Sequence, residues 1–593
     1  MCGIIGRINS KKQIDKECFI RMRDTMKHRG PDGAGMFISE DNKIALGHRR
    51  LSLIDLSETG SQPMHNENKT IWLTCNGEIY NYLEIKEQLL KKGHKFLSTS
   101  DSEIIIHGYE EWGTAILSKL KGMFAFGLWD SNKKQLFLAR DRFGIKPLYY
   151  YLDNENCIFS SEIKGIIEDR SIVRDIDFSS FSDFFVYRYI PSPKTIWKKI
   201  YKLPPAHYLL INTELKIQIK QYWKLDTTNK IIPEKEVFEK VDELLCNSVK
   251  QHIISDVPVG SFLSGGYDSS AMVYYMHKLN YPTQTFSIGF ENWQYSEHQY
   301  AEIVAQLFNT QHISRIIGKE SLEYVEKLSF NYDEPIADIS IVPTFIVSEL
   351  ASKNVKAVLS GEGADEIFGG YTWHKSYYDS YNLKPSFEKL KFLINPNYNP
   401  FGVSEYSDAM AMGKFDNITL KKLLNDDIHE HIAHNTDWFY LKHYNNKFTS
   451  VKSFQYLDIK TFMSELVLTK IDRASMASSL EARVPFLDHE FIEYMFNLKE
   501  SIYFKKDYKK YILFENLKNV LPKSILTRSK QGFVGPDKYY QEVDWYKSHL
   551  ADSKLIEDGL INRDTIRDWQ LQKDYWRLWK VLIMEFWYRR WKS

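Results

Sequence analysis

The sequence predicts an α/β protein in two parts, with antiparallel sheets first and a parallel sheet with helical additions second. Over residues 1–210, short β-branched and aromatic runs alternate with Gly, Asn and Asp turns, which is typical of antiparallel strands. After residue 236, apolar strands alternate with helical periods, which predicts a doubly wound parallel sheet. Beyond residue 370 the apolar spacing is mainly helical.

The first part is predicted to be a layered α/β domain over residues 2–215. Apolar runs predict strands at 43–55, 70–80, 123–130, 135–141 and 147–152. Apolar residues at helical spacing predict helices at 15–27 and 82–92. Because helices and half-apolar strands must bury their apolar faces against each other, we expect helices stacked on largely antiparallel sheets.

A polar, proline-containing stretch predicts a linker at 216–235, and a second domain is expected over 236–593. Its pattern predicts strands at 257–263, 283–290 and 355–361, a loop at 264–270, and helices at 271–279 and 296–308. At 574–591, aromatic residues recur at helical spacing. This favours a helix docked on its own domain over a helix lying on a membrane surface.

Composition argues against several classes of function. Lys and Arg number 78 and Asp and Glu 77, so no charge bias indicates a nucleic acid or an anionic membrane as partner. The five cysteines form no CxxC pair, which fits a reducing compartment and not a disulfide scaffold. With no signal-peptide pattern and no apolar stretch of membrane-spanning length, we expect a cytoplasmic protein.

The loop SGGYDSS (264–270) follows a predicted strand and precedes a predicted helix. Ser264, Gly265 and Gly266 let backbone N–H groups approach an anion, and the helix N-terminus adds a positive dipole. No Lys follows the glycines, so this is not the common nucleotide-binding P-loop. Asp268, followed by Ser269 and Ser270, could instead handle a pyrophosphate and its Mg²⁺.

A second acidic loop, SGEGADEIFGG (360–370), also follows a predicted strand. An acidic loop is usually only a solvated loop. Here Glu362 and Asp365 follow a strand of the same predicted sheet, and ligands bind where such strands end. Asp268 and Asp365 could therefore share one Mg²⁺.

In the first domain, NGEIYN (76–81) follows an apolar strand. Asn76 could offer a side-chain N–H, and Gly77 a backbone N–H, to a developing oxyanion, although a plain hairpin turn is the default interpretation of this motif taken alone. Arg50 could bind a carboxylate in a bidentate manner. The histidines of HEHIAH (429–434) miss the H-E-x-x-H zinc spacing, so a solvated helix face is the better interpretation.

The chain resembles the glutamine-hydrolysing asparagine synthetase family over almost its whole length. The resemblance rests on the joint order of MCGIIG, HRGPDG, RLSLID, NGEIYN, GMFAFGLWD, RDRFGIKPLYY, SDVPVGSFLSGGYDSS, DEPIAD, SGEGADEIFGGY, KIDRASMASSLEARVPFLD and KKYILFENLKNVLPKSILTRSKQGF. It implies an N-terminal α/β/β/α Ntn-hydrolase-type glutaminase domain, then an ATP-pyrophosphatase domain. It also implies that ammonia released from glutamine crosses a tunnel and displaces AMP from an adenylated aspartate.

The resemblance also implies roles for single residues. Cys2 is the expected nucleophile, with its own α-amine as the base once Met1 is removed. The expected oxyanion hole is Asn76 with Gly77, and the expected glutamine-binding residues are Arg50, Leu51, Glu78 and Asp101. The expected ATP-binding residues are Leu263, Ser264, Gly265, Gly266, Asp268, Ser269, Ser270, Ile288, Ser360 and Gly361. Asp268 and Asp365 are the expected Mg²⁺ ligands, and Glu362 and Lys510 the expected catalytic residues of the second domain.

ATP and Mg²⁺ are thus the expected cofactors, and glutamine and aspartate the expected substrates, in a chain that could form a homodimer. Three departures leave the acceptor open: Tyr267 at a usually aliphatic position, the ending KQGFVGP (530–536), and a long aromatic segment at 372–455. The alternative acceptor is another carboxylate, such as a sugar acid of a surface polysaccharide. An inactive homologue is disfavoured because the motif residues are present.

Overall fold

The computed structural model describes residues 2–225, 232–383, 402–448, 450–505, 510–528 and 531–592. Two antiparallel sheets form in the first 221 residues. The first has the order β10-β8-β9-β1-β3-β2 and the second the order β12-β11-β7-β6-β5-β4. Their strands are β1 (Gly3–Asn9), β2 (Gly33–Ile38), β3 (Ile44–Arg50), β4 (Met64–His65), β5 (Ile71–Ile79), β6 (Gly122–Asp130), β7 (Gln135–Arg140), β8 (Tyr149–Leu152), β9 (Asn156–Ser160), β10 (Ile200–Lys202), β11 (His207–Asn212) and β12 (Ile217–Gln221).

The two sheets face each other, and helices cover their outer sides. Ile4 and Leu46 of the first sheet pack with Leu138 and Leu209 of the second in one buried cluster. The helices of this part are α1 (Lys16–Asp24), α2 (Tyr82–Lys91), α3 (Glu103–Trp112), α4 (Ile116–Lys119), α5 (Ile163–Ile167) and α6 (Phe178–Tyr187). Helices α1 and α5 pack on the first sheet, and α2 and α3 on the second. The predicted α/β/β/α layering is therefore confirmed.

The second part contains a parallel sheet with the order β15-β14-β13-β16-β17. Its strands are β13 (Val259–Phe262), β14 (Gln284–Phe290), β15 (Gln311–Ile317), β16 (Ala357–Leu359) and β17 (Glu481–Arg483). From β13 the chain adds β14 and β15 on one side, and β16 and β17 on the other. The order of the strands therefore reverses between β13 and β16, and α/β proteins bind ligands where such a reversal occurs.

Helices make up most of the remaining chain, as predicted. They are α7 (Glu234–His252), α8 (Tyr267–Lys278), α9 (His298–Leu307), α10 (Tyr324–Tyr332), α11 (Ile341–Ser352), α12 (Ala364–Phe368), α13 (Thr372–Leu383), α14 (Val403–Met410), α15 (Asn417–Leu423), α16 (Trp438–His443), α17 (Ser450–Lys460), α18 (Leu468–Met476), α19 (His489–Phe496), α20 (Tyr511–Leu517), α21 (Lys523–Leu526), α22 (Asp537–Tyr540), α23 (Val543–Leu550), α24 (Lys554–Glu557), α25 (Arg563–Gln572) and α26 (Tyr575–Trp591).

Two predicted boundaries need correction. Helix α8 begins at Tyr267 and not at 271, so Asp268, Ser269 and Ser270 lie in its first turn and not in a loop. The first turn tolerates these residues because its N–H groups lack helical partners and favour an acidic side chain. The expected linker at 216–235 contains the edge strand β12, which pairs with β11. Residues 226–231 of that linker lie outside the described residues.

The C-terminal helix α26 is docked on the rest of the chain, as predicted. Trp579 and Trp587 are almost fully buried, and Trp587 Nε1 donates to Asp333 O at 3.0 Å. Helix α26 also contacts the first part of the chain, since Lys580 Nζ donates to Phe185 O at 2.7 Å. Among the described helices, we find none with both the length and the apolar character needed to cross a membrane.

Candidate active sites

Cys2 lies buried at the start of β1, between the two facing sheets. Strand β1 pairs with β3 from Gly3 onward, so the backbone of Cys2 is fixed at the edge of this pairing. The Cys2 backbone N donates to Asn76 Oδ1 at 3.0 Å, and Cys2 Sγ lies 4.0 Å from Leu51 O. Burial raises the pKa of the Cys2 thiol above its ordinary value. The thiol therefore needs a nearby base to become a nucleophile.

Asn76 and Gly77 occupy neighbouring positions on β5. Asn76 Nδ2 is buried and has no hydrogen-bond partner within the described structure, although Asn76 Oδ1 accepts a hydrogen bond from the Cys2 backbone N. Gly77 has a φ of 151°, and a Cβ added there would lie 2.0 Å from Met123 O. A buried amide donor without a partner is costly, so it indicates a position where a ligand oxygen binds.

Two buried carboxylates, Glu78 and Asp101, lie close to this position. Asp101 Oδ2 accepts a hydrogen bond from Ile79 N at 2.7 Å, and Arg483 Nη2 lies 3.5 Å from Glu78 Oε2. Burial raises the pKa of Asp101 to about 6 and that of Glu78 well above its ordinary range, with the Glu481 carboxylate adding to both effects. Carboxylates held in this way suit a cationic ligand group, such as an α-amine.

Arg50 and Leu51 lie at the end of β3, beside Cys2. Arg50 Nη1 donates to Ser57 O at 2.9 Å, and its Nη2 donates to Asp55 O. The guanidinium is thus held by backbone carbonyls of the loop after β3. Leu51 is buried, and its carbonyl oxygen faces the Cys2 thiol. The structure therefore brings all the predicted glutamine-site residues to one region around Cys2.

The second candidate site starts at the carboxyl end of β13. Gly265 has a φ of 72°, and a Cβ there would lie 2.5 Å from the Tyr300 carbonyl carbon, so only glycine fits. Gly266 is the N-cap residue of α8. The Ser264 backbone N donates to Ser269 Oγ at 3.1 Å, which closes the loop over the helix N-terminus. Ser270 Oγ is buried and has no hydrogen-bond partner among the described residues.

The loop after β16 meets this turn, as expected for neighbouring parallel strands. A Cβ on Gly361 would lie 2.9 Å from Asp268 Cβ, so the two loops are in close contact. Lys510 Nζ lies 2.5 Å from Asp268 and 2.8 Å from Asp365 Oδ1. Burial alone would lower the pKa of Lys510, but the two carboxylates raise it. The carboxylates of Asp268 and Asp365 therefore converge on one position, which the ammonium group of Lys510 occupies.

The remaining predicted ATP-site residues lie in or directly after the same strands. Leu263 directly follows β13 and Ile288 lies in β14, and both side chains are buried, at 2% and 3% exposure. Ser360 follows β16 and donates its backbone N–H to Arg483 O at 2.8 Å. Glu362 is partly exposed, and its Oε1 lies 3.4 Å from Lys470 Nζ on α18. All the predicted residues of the second site thus meet at the carboxyl edge of the parallel sheet.

The two sites are joined by residues that no motif in the sequence had indicated. Arg29 donates from Nε to Cys2 O at 3.0 Å, and its two terminal nitrogens bind Asp472 at 2.9 and 3.1 Å. Asp472 lies on α18, two residues after Lys470. A fully buried ion pair therefore connects the backbone of Cys2 to the helix that contacts the second site.

Strand β17 makes a second connection. Arg483 gives its carbonyl to Ser360 at the second site and places its guanidinium beside Glu78 at the first. Its Nη1 also donates to His252 O at 2.7 Å, which fixes the side chain. In the stretch LEARV (480–484), the charged residues Glu481 and Arg483 alternate with apolar ones. This alternation could have indicated that the charged side chains bind buried polar groups. No local pattern could have paired Arg29 with Asp472, which are 443 residues apart.

Comparison with known proteins agrees with this two-site arrangement. A family profile described as a glutamine amidotransferase domain matches residues 1–223, and one described as asparagine synthase matches residues 240–589. The chain belongs to the asparagine synthetase family. As a member of this family, it is an ATP-dependent ligase that takes its amide nitrogen from glutamine.

Individual relatives match the chain over nearly its full length. Glutamine-hydrolysing asparagine synthetase 1 of Bacillus subtilis strain 168 is 33% identical, over 99% of this chain and 96% of the relative. Asparagine synthetase 3 of the same organism is 32% identical, over 95% and 92% of the two chains. The amidase chry2 of Gibberella zeae is 29% identical, over 97% and 94%. The relatives of this chain thus carry names that describe different reactions.

Proposed function

We propose that this asparagine synthetase family member makes asparagine from aspartate, with glutamine as nitrogen donor and ATP as energy source. Two full-length relatives carry names that state this activity. The observation that carries the glutamine half is the unpartnered Asn76 Nδ2 beside Cys2. Glutamine hydrolysis passes through an oxyanion, and a fixed, buried donor of this kind stabilises it.

At the first site, the α-amine of Cys2, free once Met1 is removed, accepts the thiol proton. The thiolate attacks the side-chain carbonyl of glutamine, while Asn76 Nδ2 and the Gly77 N–H bind the oxyanion. The protonated base returns its proton to the leaving ammonia, and water then releases glutamate from the thioester. Glu78 and Asp101 bind the α-amine of glutamine, and Arg50 binds its α-carboxylate.

At the second site, the β-carboxylate of aspartate attacks the α-phosphate of ATP, and pyrophosphate leaves. Ser264, Gly265 and Gly266 cradle the pyrophosphate, and Lys510 offsets its charge. The two convergent carboxylates, Asp268 and Asp365, form the hard-oxygen donor set that Mg²⁺ prefers, so these residues would hold that ion. Mg²⁺ would supply further positive charge at the phosphates.

Ammonia then attacks the acyl carbon of the adenylate and displaces AMP, which yields asparagine. The reactive adenylate and the ammonia must both be kept from bulk water. The close connection of the sites by Arg29–Asp472 and by β17 supports a direct route between them. Glu362, which lies 3.4 Å from Lys470 Nζ, accepts a proton from the attacking ammonia in this proposal.

A mass-spectrometric assay of amide products tests the acceptor. Purified enzyme receives ATP, Mg²⁺ and glutamine with aspartate or with one of a panel of other carboxylates, sugar acids included. We expect asparagine to be the dominant amide, formed with AMP in equal amount. The relative chry2, which matches 97% of the chain, is named an amidase and not an asparagine synthetase. A second candidate is therefore the same reaction on another carboxylate. Absence of asparagine, with an amide formed on another acid, would support that candidate instead.

A further inference from the structure

A cluster of two histidines and a glutamate lies on the outer helices of the first domain, apart from both candidate sites. His94 follows α2, and His107 and Glu110 lie one turn apart on α3. One ligand atom from each of the three residues lies within 4.8 Å of the others. Residues at i and i+3 share a helix face, so α3 presents both of its side chains toward His94.

The distances suit tetrahedral coordination of an ion. Glu110 Oε2 lies 2.9 Å from His107 Nδ1 and 3.6 Å from His94 Nδ1. Ligand atoms that are 2.0–2.1 Å from a tetrahedral Zn²⁺ lie about 3.3 Å from one another. The two separations from Glu110 Oε2 bracket this value, and all three ligand atoms lie within 4.8 Å of one another.

Each of the three side chains also has a polar partner on the side that faces away from the other two. Asn66 Nδ2 donates to Glu110 Oε1 at 2.8 Å, which turns the other carboxylate oxygen toward the histidines. His107 Nε2 lies 3.6 Å from Glu103 Oε1. Protein zinc sites commonly have such a carboxylate or amide behind each ligand, because it fixes the ligand's orientation.

His94 has a similar partner, since its Nε2 lies 3.6 Å from Glu111 Oε2. His107 is only 1% exposed, and its Nε2 makes no hydrogen bond within the described residues. Metal binding at Nδ1 fixes the tautomer with a proton on Nε2, which then faces Glu103. The partly exposed His94 and Glu110 leave a path for the ion from solvent.

A buried ion pair is the competing interpretation. Burial alone would lower the pKa of His107, but the neighbouring carboxylates of Glu103 and Glu110 raise it to about 9. A protonated His107 between two carboxylates explains those three residues. It does not explain why His94 Nδ1 converges on the same Glu110 oxygen as His107 does.

We propose that His94, His107 and Glu110 bind a zinc-class divalent transition metal ion, with the fourth position taken by water. Imidazole nitrogens with one carboxylate are donors that such ions prefer over Mg²⁺. The ion would join the turn after α2 to α3. Asp101, of the proposed glutamine site, lies in the segment between those two elements, so the ion would help to hold that segment in place.

Metal analysis of the full chain, prepared without a histidine tag, tests the proposal. The protein is equilibrated with Zn²⁺, desalted, and analysed for metal by mass spectrometry. We expect one zinc per chain that is lost in His94→Gln and retained in His207→Gln, a matched control in the same domain. Retention in Asp268→Asn shows that the ion is not held by the ATP-site carboxylates. Equal zinc content in His94→Gln and the parent chain, or no zinc in the parent, would overturn the proposal.

Two further readouts separate metal binding from a structural role of the histidine. Co²⁺ in place of Zn²⁺ is expected to give the intense visible bands of a tetrahedral site in the parent chain and none in His94→Gln. Glu111→Gln, which removes the carboxylate beside His94 Nε2 together with its ion pair to Lys92, is expected to weaken metal affinity by about 10- to 100-fold. Unchanged affinity in Glu111→Gln together with absent cobalt bands would leave only an ion pair, contrary to the proposal.

Discussion

Replacing Asn76 by Ala removes the donor that the proposed glutaminase mechanism places on the oxyanion. Asn76 Nδ2 has no partner among the described residues, so this donor gains its partner only when substrate reacts. Loss of one oxyanion-hole donor costs roughly 2.7–4 kcal/mol, or about 100- to 1,000-fold in kcat. Asn76 Oδ1 also binds the Cys2 N at 3.0 Å, which would orient the base, so we expect the upper end of that range.

The assay compares glutamate release with amide formation. In Asn76→Ala, glutamine hydrolysis is expected to fall about 1,000-fold in kcat. The KM for glutamine should change little because Glu78 and Asp101 remain, and ammonia-dependent synthesis should be retained. Asn81→Ala, from the same motif, is the matched control. Its amide atoms bind Lys119 O and Lys121 N, so the change should lower stability without lowering kcat. A folded Asn76→Ala enzyme with near-parental glutaminase kcat would refute the reasoning.

Three further predictions address the coupling, the pH dependence and the second site. Asp472→Asn removes the charge that pairs with Arg29, so glutamine hydrolysis should continue while less asparagine forms per glutamate; an unchanged product ratio would contradict the proposed link. Asp101, with its pKa raised to about 6, must be ionised to bind an ammonium group. The affinity of a Cys2→Ala enzyme for glutamine, measured by calorimetry, should therefore reach its maximum above pH 6 and fall up to about tenfold per pH unit below pH 6. The same pH dependence of affinity in the Cys2→Ala, Asp101→Asn double variant would show that Asp101 is not the titrating group. Asp268→Asn should lower synthesis from either nitrogen source at least about 100-fold and spare glutaminase activity, because metal-held charge is worth several kcal/mol.

Much of the second site could be predicted because parallel strands end at a common edge. The glycine turn after β13 and the acidic loop after β16 were each weak signals alone. Their placement after strands of one sheet predicted that Asp268 and Asp365 would meet, and both do contact Lys510. The start of α8 was placed too late, because Ser and Asp occur both in loops and in the first turn of a helix.

Local sequence patterns provide at most a weak signal for the contacts between distant segments. Strand β17 has only three residues, two of them charged, so no alternation of apolar residues marks it. The pairing of Arg29 with Asp472 depends on how the two domains pack, which no spacing in the sequence records. The same holds for His94, His107 and Glu110, because a loop between two helices sets their separation.

The central claim is that one chain makes ammonia at Cys2 and uses it at the second site to form asparagine. Its most direct test is the fate of the amide nitrogen of labelled glutamine in the parent and Cys2→Ala enzymes, followed by mass spectrometry with aspartate and ATP. We predict labelled asparagine from the parent, none from Cys2→Ala, and undiminished asparagine from Cys2→Ala supplied with ammonia. Labelled asparagine from Cys2→Ala, or loss of synthesis with both nitrogen sources in a folded enzyme, would contradict the account.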